Sequence, residues 1–195
     1  MAIKKQTPFS KKYKIKPNLT QRQIIAKTIK NEIGYSKNGG YNNHPDDKGG
    51  ETKWGISKAQ YPDLNIECLT KDEAINIYIK DYWVEFKLIY FPEYLRSQVF
   101  DMFVNHSPSA VIKIIQRACN KMNFAIELLV DGIWGKHTLT AILTTALHAR
   151  PKYTFQNAIV DERRLYYKYL TKIRPENKAF IRGWYRRAEK YRVVI

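Results

Sequence analysis

The 195-residue sequence lacks the features that define several protein classes. Its two cysteines, Cys68 and Cys119, are too few for a disulfide framework or a cysteine-based zinc site. It contains no run of about 18 apolar residues, so we expect no membrane-spanning helix. Residues 1–18 lack the apolar stretch of a secretory signal, which predicts synthesis in the cytoplasm without a signal peptide. No cofactor or metal is expected, because the four histidines have no metal-ligand spacing: His44, His106, His137 and His148.

Acidic residues are scarce at the two ends of the chain. The sequence has 34 Lys and Arg against 18 Asp and Glu, a formal net charge of +16. Residues 1–30 hold nine basic residues and no acidic one, and residues 150–195 hold thirteen basic and four acidic ones. This surplus favours an anionic partner such as nucleic acid, a membrane or the cell wall, although it is also typical of a solvated surface. No nucleic-acid-binding motif accompanies the charge, so we expect no nucleic-acid partner.

The hydrophobic pattern predicts a mainly α protein with one long irregular loop. Residues 1–18 are interpreted as a basic flexible arm. A helix over about 20–33 is followed by residues 34–57, which contain six glycines and no helical or strand period. Loops of this length in compact domains are usually functional. Later helices are predicted over about 70–88, 92–105, 107–122 and 136–148, with two more after Pro151 and Pro175.

One carboxylate falls on the apolar face of the first predicted helix. At about 100° per residue, Glu32 lies between Ile24 and Ile25 around the helix axis. Burial and the helix C-terminus would both raise the pKa of such a carboxyl, as a general acid requires. The alternative that the pattern leaves open is a structural glutamate paired with Lys or Arg.

The loop after this helix combines carboxylates, glycines, a hydroxyl and aromatic rings. From Asp47 to Gly55 it reads Asp-Lys-Gly-Gly-Glu-Thr-Lys-Trp-Gly, and Asp46 precedes it. Glycines allow the backbone to approach a ligand closely, and Tyr35, Tyr41 and Trp54 can stack on sugar rings. An acid that faces a second carboxylate across a cleft is the arrangement of glycoside hydrolases. A glycine-rich turn region without catalytic function is the alternative.

These segments together resemble glycoside hydrolase family 108, a group of bacterial and phage N-acetylmuramidases often labelled secretion activator proteins. The family pattern is Glu-Gly-Gly-Tyr followed by Asp-x-Gly-Gly-x-Thr-x-x-Gly-Ile-Ser. Here residues 32–35 read Glu-Ile-Gly-Tyr, and the second pattern matches Asp47–Ser57. The later segment Asp131–Gly135 is similar to part of the family's C-terminal peptidoglycan-binding-type region. The resemblance covers about residues 20–190.

The resemblance implies a lysozyme-like helical fold with a glycine-rich active-site loop. It implies a muramidase region over 19–106 and a helical peptidoglycan-binding-type region over 107–195. The implied activity is hydrolysis of the β-1,4 bond between N-acetylmuramic acid and N-acetylglucosamine. The implied partner is the peptidoglycan glycan strand, reached in the periplasm after release or export. We expect a monomer, with no membrane insertion; phage lysis and secretion are both open as settings.

The resemblance also implies roles for individual residues. Glu32 would be the catalytic acid, Asp47 the second carboxylate with Asp46 as its fallback, and Thr52 would hold the attacking water. Whether the configuration is inverted or retained stays open. Asn105 shares a helix face with Asp101, and the two residues either face the cleft or brace the loop. The candidate substrate-binding residues are Gly34, Tyr35, Tyr41, Asp46, Gly49, Gly50, Trp54 and Asn105.

One position departs from the family pattern. Ile33 stands where the family has a glycine, and isoleucine does not easily adopt the backbone angles open to glycine. A catalytically impaired peptidoglycan-binding protein is therefore one alternative. A lytic transglycosylase, which uses one glutamate and an internal sugar hydroxyl, is another, and the presence of Asp47 and Thr52 argues against it.

Overall fold

Helices make up most of the described chain, as the sequence predicts. The protein is represented by a computed structural model, which describes residues 19–34, 36, 38–44, 50–151 and 153–194. The predicted arm, residues 1–18, lies outside these residues. The mainly α fold is confirmed. The elements are α1 (Leu19–Ile33), β1 (Thr52–Lys53), β2 (Ile56–Ser57), α2 (Lys71–Tyr78), α3 (Glu93–Asn105), α4 (Pro108–Met122), α5 (Lys136–His148), α6 (Thr154–Ile173) and α7 (Ile181–Glu189).

The chain divides into two units, Met1–Leu88 and Ile89–Ile195. The predicted division after residue 106 separates regions by function and stays a prediction. Neither cysteine forms a disulfide: Cys68 of the first unit is exposed and Cys119 of the second is buried. Burial raises the pKa of the Cys119 thiol to about 12. Among the described helices, none is both long enough and apolar enough to cross a membrane.

In the first unit, α1 packs beside α2. Arg22 of α1 forms an ion pair with Asp72 and donates a hydrogen bond of 3.3 Å to Asn76. A capping box begins α2, because Thr70 and Glu73 each accept a hydrogen bond from the other's backbone N–H. The core of this unit includes Ile25, Ile29, Ile56, Ile66, Leu69, Ala74, Ile75, Tyr78, Trp83 and Leu88.

The single helix predicted over 70–88 is wrong in its second half. After Tyr78 the chain continues as a π-helical segment, Ile79–Val84, and then as a 3₁₀ turn, Leu88–Tyr90. The Tyr61 hydroxyl donates a hydrogen bond of 2.6 Å to the Asp81 carboxylate within the π segment. This long-range contact joins the loop before α2 to the segment after it, and the sequence period did not indicate it.

The long loop contains a short hairpin. Strands β1 and β2 are antiparallel and pair Thr52 with Ser57 and Lys53 with Ile56. The two residues between them, Trp54 and Gly55, have φ angles of 56° and 78°. Two positive φ angles are typical of a type I′ turn, whose twist matches that of the strands.

In the second unit, α3, α6 and α7 meet at a buried carboxylate. Asp101 is fully buried and pairs with Arg163 at 2.9 Å and with Arg187 at 2.7 Å. The two arginines hold the pKa of this carboxyl below its usual range despite burial. Asp101 therefore braces the helices. Much of the surrounding core comes from apolar residues of α3, α4 and α6: Leu95, Val99, Phe100, Met102, Val111, Ile114, Ile115, Phe155, Ile159 and Val160.

Candidate functional site

Helix α1 ends on a left-handed glycine. Gly34 has a φ of 63°, and its N–H donates a 3.0 Å hydrogen bond to the carbonyl of Lys30. This geometry is a common helix C-cap and favours a residue without a Cβ. Ile33 is the last helical residue, and its backbone is not in the left-handed region. Its side chain contacts Gly40, where an added Cβ would lie 2.9 Å from Ile33 Cγ2.

Glu32 is exposed, and the expectation that it is buried in the apolar stripe is wrong. By angle it does belong to the face that buries Gln21, Ile25, Thr28 and Ile29. Glu32 lies about one turn beyond Ile29, the last of these residues, and at that level of the helix the face is no longer buried. The burial expected of this side chain is therefore absent, and Glu32 lies at the edge of the core.

Tyr78, at the end of α2, contacts the hairpin and feels the charge of Glu32. Its hydroxyl donates a hydrogen bond of 3.2 Å to the Trp54 carbonyl, and a Cβ on Gly55 would lie 2.5 Å from the same hydroxyl. Burial chiefly, with the charges of Tyr82 and Glu32, raises the pKa of the Tyr78 phenol. The phenol therefore stays protonated beside the carboxylate at neutral pH. Sequence reasoning missed Tyr78; its buried position on α2 was the available signal.

Trp54 is half-buried and fixed on three sides. Its indole N–H donates a 2.9 Å hydrogen bond to the carbonyl of Leu69, and its backbone N–H donates at 2.7 Å to Gly39. A Cβ on Gly39, whose φ is 64°, would lie 2.5 Å from the indole ring. Glycine is therefore required at that position by both conformation and space.

The segment around Thr52 pairs with the chain at Asn42. Each backbone N–H of the two residues donates to the other's carbonyl, at 2.9 and 2.8 Å. The Thr52 hydroxyl donates to the carbonyl of Gly50 at 3.2 Å, so its oxygen keeps acceptor capacity. The Tyr41 hydroxyl donates at 2.8 Å to Glu51, which raises the pKa of this phenol. Sequence reasoning gave Glu51 no role, and it is a second carboxylate in this segment.

A groove of 440 Å³ runs along the C-terminal half of α1. Gly34 and Trp54, two of the predicted substrate-binding residues, line it, and Glu32 does not. Three lysines border the groove, so their positive charge favours binding of an anionic group. Its lining residues are Ala26, Lys27, Ile29, Lys30, Ile33, Gly34, Ser36, Trp54 and Lys71.

The remaining predicted residues are distributed as follows. Tyr35, Asp46, Asp47 and Gly49 lie outside the described residues. Asn105 belongs to the second unit, is exposed, and donates a 2.8 Å hydrogen bond to the Asp101 carbonyl of its own helix. Its binding role, like the roles of the other candidate residues, stays a prediction. Across residues 19–44 and 50–194, leaving out those not described, no three His, Cys, Asp or Glu side chains gather as a metal site.

Two family models match successive parts of the chain. Residues 29–107 match the model described as glycosyl hydrolase 108, and this range includes Glu32, the hairpin and Tyr78. Residues 110–189 match the model described as a predicted peptidoglycan domain. The two matches divide the chain between residues 107 and 110, within the second of the two structural units.

The fold is similar to one seen in a solved structure. The structure of Brucella abortus SagA superposes with a TM-score of 0.64 at 23% sequence identity. The alignment covers 88% of this chain and 91% of that one. At this identity the similarity concerns the fold. No curated protein matches the sequence.

Proposed function

Because the chain belongs to the glycosyl hydrolase 108 family and carries a peptidoglycan domain, we propose that it is an N-acetylmuramidase. It cleaves the β-1,4 bond between N-acetylmuramic acid and N-acetylglucosamine in peptidoglycan. The observation that carries this proposal is the position of Glu32. Its carboxyl is exposed in the last turn of α1, within the matched residues, and its charge acts on the Tyr78 phenol, which donates a hydrogen bond to the hairpin.

Glu32 acts as the general acid. It donates its proton to the glycosidic oxygen as the bond to the anomeric carbon breaks, so that the leaving sugar departs as a neutral hydroxyl. The fixed Trp54 ring and the lysines of the α1 groove are suited to a sugar face and to the acidic groups of the peptide stem.

The second carboxylate completes the reaction. Asp47, or its neighbour Asp46, accepts a proton from water or stabilises the positive charge on the sugar ring. Thr52 orients that water through its free acceptor lone pair. Hydroxide adds to the anomeric carbon and the proton from water goes to the carboxylate, which balances the proton given up by Glu32.

The structure gives the isoleucine at position 33 an ordinary place. Ile33 has a helical backbone, and Gly40 provides the space for its side chain. The conformational freedom of a glycine is therefore not used at this position. This supports an active enzyme over a binding protein that has lost catalysis. We further propose that the protein acts as a monomer, since its substrate lies in the cell wall and one chain carries both matched regions.

Clearing of a peptidoglycan suspension by wild type, Glu32→Gln and Glu85→Gln tests the proposal. Glu85 is an exposed glutamate of the same unit and serves as the matched control. We expect Glu32→Gln to abolish clearing and Glu85→Gln to leave it unchanged. Equal clearing by wild type and Glu32→Gln would overturn the role of Glu32.

The products separate the remaining alternatives. Mass spectrometry of the fragments should show hydrated muramic acid ends, whereas a lytic transglycosylase leaves anhydro ends. Sedimentation with peptidoglycan without any released fragment would indicate a binding protein. Asp47→Asn and Asp46→Asn, compared under the same conditions, identify the second carboxylate. The anomer that forms first, followed by NMR, distinguishes inversion from retention.

A further inference from the structure

A pocket of 490 Å³ lies in the second unit, on a face that the proposed chemistry does not use. Helices α4 and α6 supply most of its lining. Glu162, Tyr166 and Tyr169 of α6 are spaced at i, i+4 and i+7 and share one face of that helix. Lys113 and Arg117 are four apart on α4. The pocket therefore has a carboxyl and two aromatic rings from one helix and two cations from the other.

Glu162 is mostly buried in the wall of this pocket. The residue is 8% exposed, and no described residue forms a hydrogen bond or ion pair with its side chain. Burial raises the pKa of its carboxyl, and the charges of Lys121 and Arg117 oppose that shift. The carboxylate oxygens of Glu162 stay open to solvent in the pocket. A ligand there can donate a hydrogen bond to them in place of water.

The two tyrosines differ in how firmly they are held. The Tyr166 ring packs edge-on against His106, with centroids 5.6 Å apart, and it is half-buried. The Tyr169 ring is 56% exposed. One fixed and one accessible aromatic ring are suited to the apolar face of a sugar, whose hydroxyl and amide groups then point to the polar lining.

We propose that this pocket binds the N-acetylmuramyl peptide unit of peptidoglycan. Tyr166 and Tyr169 contact the sugar, Glu162 accepts a hydrogen bond from an amide N–H, and Lys113 and Arg117 pair with the carboxylates of the peptide stem. A neutral chitin-type sugar lacks those carboxylates and binds more weakly. The inference rests on the proposed function, because it takes its ligand class from the peptidoglycan domain matched over residues 110–189.

Binding of two soluble probes to the Glu32→Gln protein tests this site without turnover. The probes are a muramyl dipeptide, which is acidic, and tri-N-acetylchitotriose, which is neutral. We expect Tyr169→Ala and Arg117→Ala, each added to Glu32→Gln, to weaken binding of the dipeptide about tenfold. Tyr90→Ala and Arg182→Ala are the matched controls, because both residues are exposed, lie in the same unit and do not line the pocket. They should bind within about twofold of the parent.

Three results would overturn the inference: no measurable binding of the dipeptide, equal binding of the neutral sugar, or equal loss in the pocket and control variants. Circular dichroism of each variant excludes loss of fold as the cause. Failure of the proposed function is a separate outcome. If wild type releases no fragments but Tyr169→Ala and Arg117→Ala still reduce binding, the pocket stands and the muramidase proposal fails.

Discussion

At the scale of single residues, the turn after α1 depends on which positions lack a Cβ. Gly34 and Gly40 both have positive φ angles, but only Gly40 also lacks space for a Cβ, because of Ile33. We expect Gly34→Ala to lower the free energy of unfolding by about 1 kcal/mol, and Gly40→Ala by about 2 kcal/mol or more. Urea denaturation measures both.

A glycine elsewhere provides the control for these two substitutions. Gly183 lies inside α7, has no positive φ, and has no atom within 4 Å of an added Cβ. Gly183→Ala should raise stability by about 0.5–1 kcal/mol, because alanine favours the helix. Equal losses for Gly34→Ala and Gly40→Ala would show that the Ile33 contact does not limit the turn.

His106 makes the second unit sensitive to acid. Burial, and then the charge of Arg163, lowers the pKa of its imidazole from the ordinary value of 6.5 to about 3. Below about pH 6.5 the unfolded chain binds a proton that the folded chain does not, so stability falls as the pH falls toward 3. Between pH 6.5 and 5 we expect a loss of about 2 kcal/mol from this residue.

Denaturant unfolding of wild type and His106→Gln at these two pH values measures the effect. Glutamine keeps a hydrogen-bonding group near the Tyr167 hydroxyl, which lies 3.1 Å from His106 Nε2, and it does not titrate. The variant should lose less stability over this interval than wild type. An identical loss in both proteins would assign the acid sensitivity to other groups.

Single residues were only partly predictable from sequence. The end of α1 at residue 33 was predicted correctly, because the left-handed cap at Gly34 depends on local backbone chemistry. The burial of Glu32 was predicted wrongly, because a helical angle states which face a residue shares and does not state how far that face is covered. The contact between Gly40 and Ile33 was not predictable, because Ile33 ends a helix and Gly40 lies in the loop after it, and no sequence periodicity relates the two positions.

At the scale of elements, the ion pairs of Asp101 hold three helices together. Arg163 is fully buried, whereas Arg187 is 19% exposed. Removing the carboxylate of Asp101 would therefore leave the Arg163 cation with neither its ion-pair partner nor solvent. We expect Asp101→Asn to lower the free energy of unfolding of the second unit by about 3–5 kcal/mol. The melting temperature and urea midpoint report this loss.

Asp161→Asn is the control for this prediction. Asp161 pairs with Arg192 at 2.6 Å, but both side chains are substantially exposed, so the loss should stay below about 1 kcal/mol. Arg187→Ala should fall between the two, because Asp101 would still pair with Arg163. Comparable losses in Asp101→Asn and Asp161→Asn would contradict the bracing role.

Elements were predicted well where their ends carry local signals. The helices after Thr70 and Ser107 begin at residues that cap them, and Gly34 ends α1, so their bounds follow from neighbouring residues. The π-helical segment after Tyr78 was missed. Its Asp81 contacts Tyr61, twenty residues earlier, and such a contact leaves no mark on the period of the helix.

At the scale of the whole molecule, the net charge of +16 should govern how the protein reaches its substrate. Peptidoglycan and the polymers associated with it are anionic, and salt screens attraction beyond about 10 Å at 0.1 M and about 3 Å at 1 M. We expect the fraction of protein that sediments with peptidoglycan to fall as NaCl rises from about 0.05 to 0.5 M. Glu32→Gln should show the same dependence.

An uncharged solute controls for effects other than screening. Sucrose at matched osmolality should leave sedimentation unchanged. Binding that does not respond to NaCl would mean that specific contacts outweigh the long-range charge. The expectation of an anionic partner came from composition alone, and the low number of cysteines likewise argued against a disulfide scaffold. The family required longer motifs, because the helical pattern by itself is shared by many unrelated proteins.

The two cysteine thiols, neither of which forms a disulfide, allow opening of the second unit to be measured by chemical labelling. Cys68 is exposed, whereas Cys119 is 2% exposed and its raised pKa, about 12, keeps the thiolate scarce. A thiol reagent at neutral pH therefore labels Cys68 first, and the amount of this label gives the protein concentration. Labelling of Cys119 must wait until the second unit opens, so its rate measures the free energy of that opening. A single time course with one thiol reagent thus yields both concentration and local stability, without an engineered site.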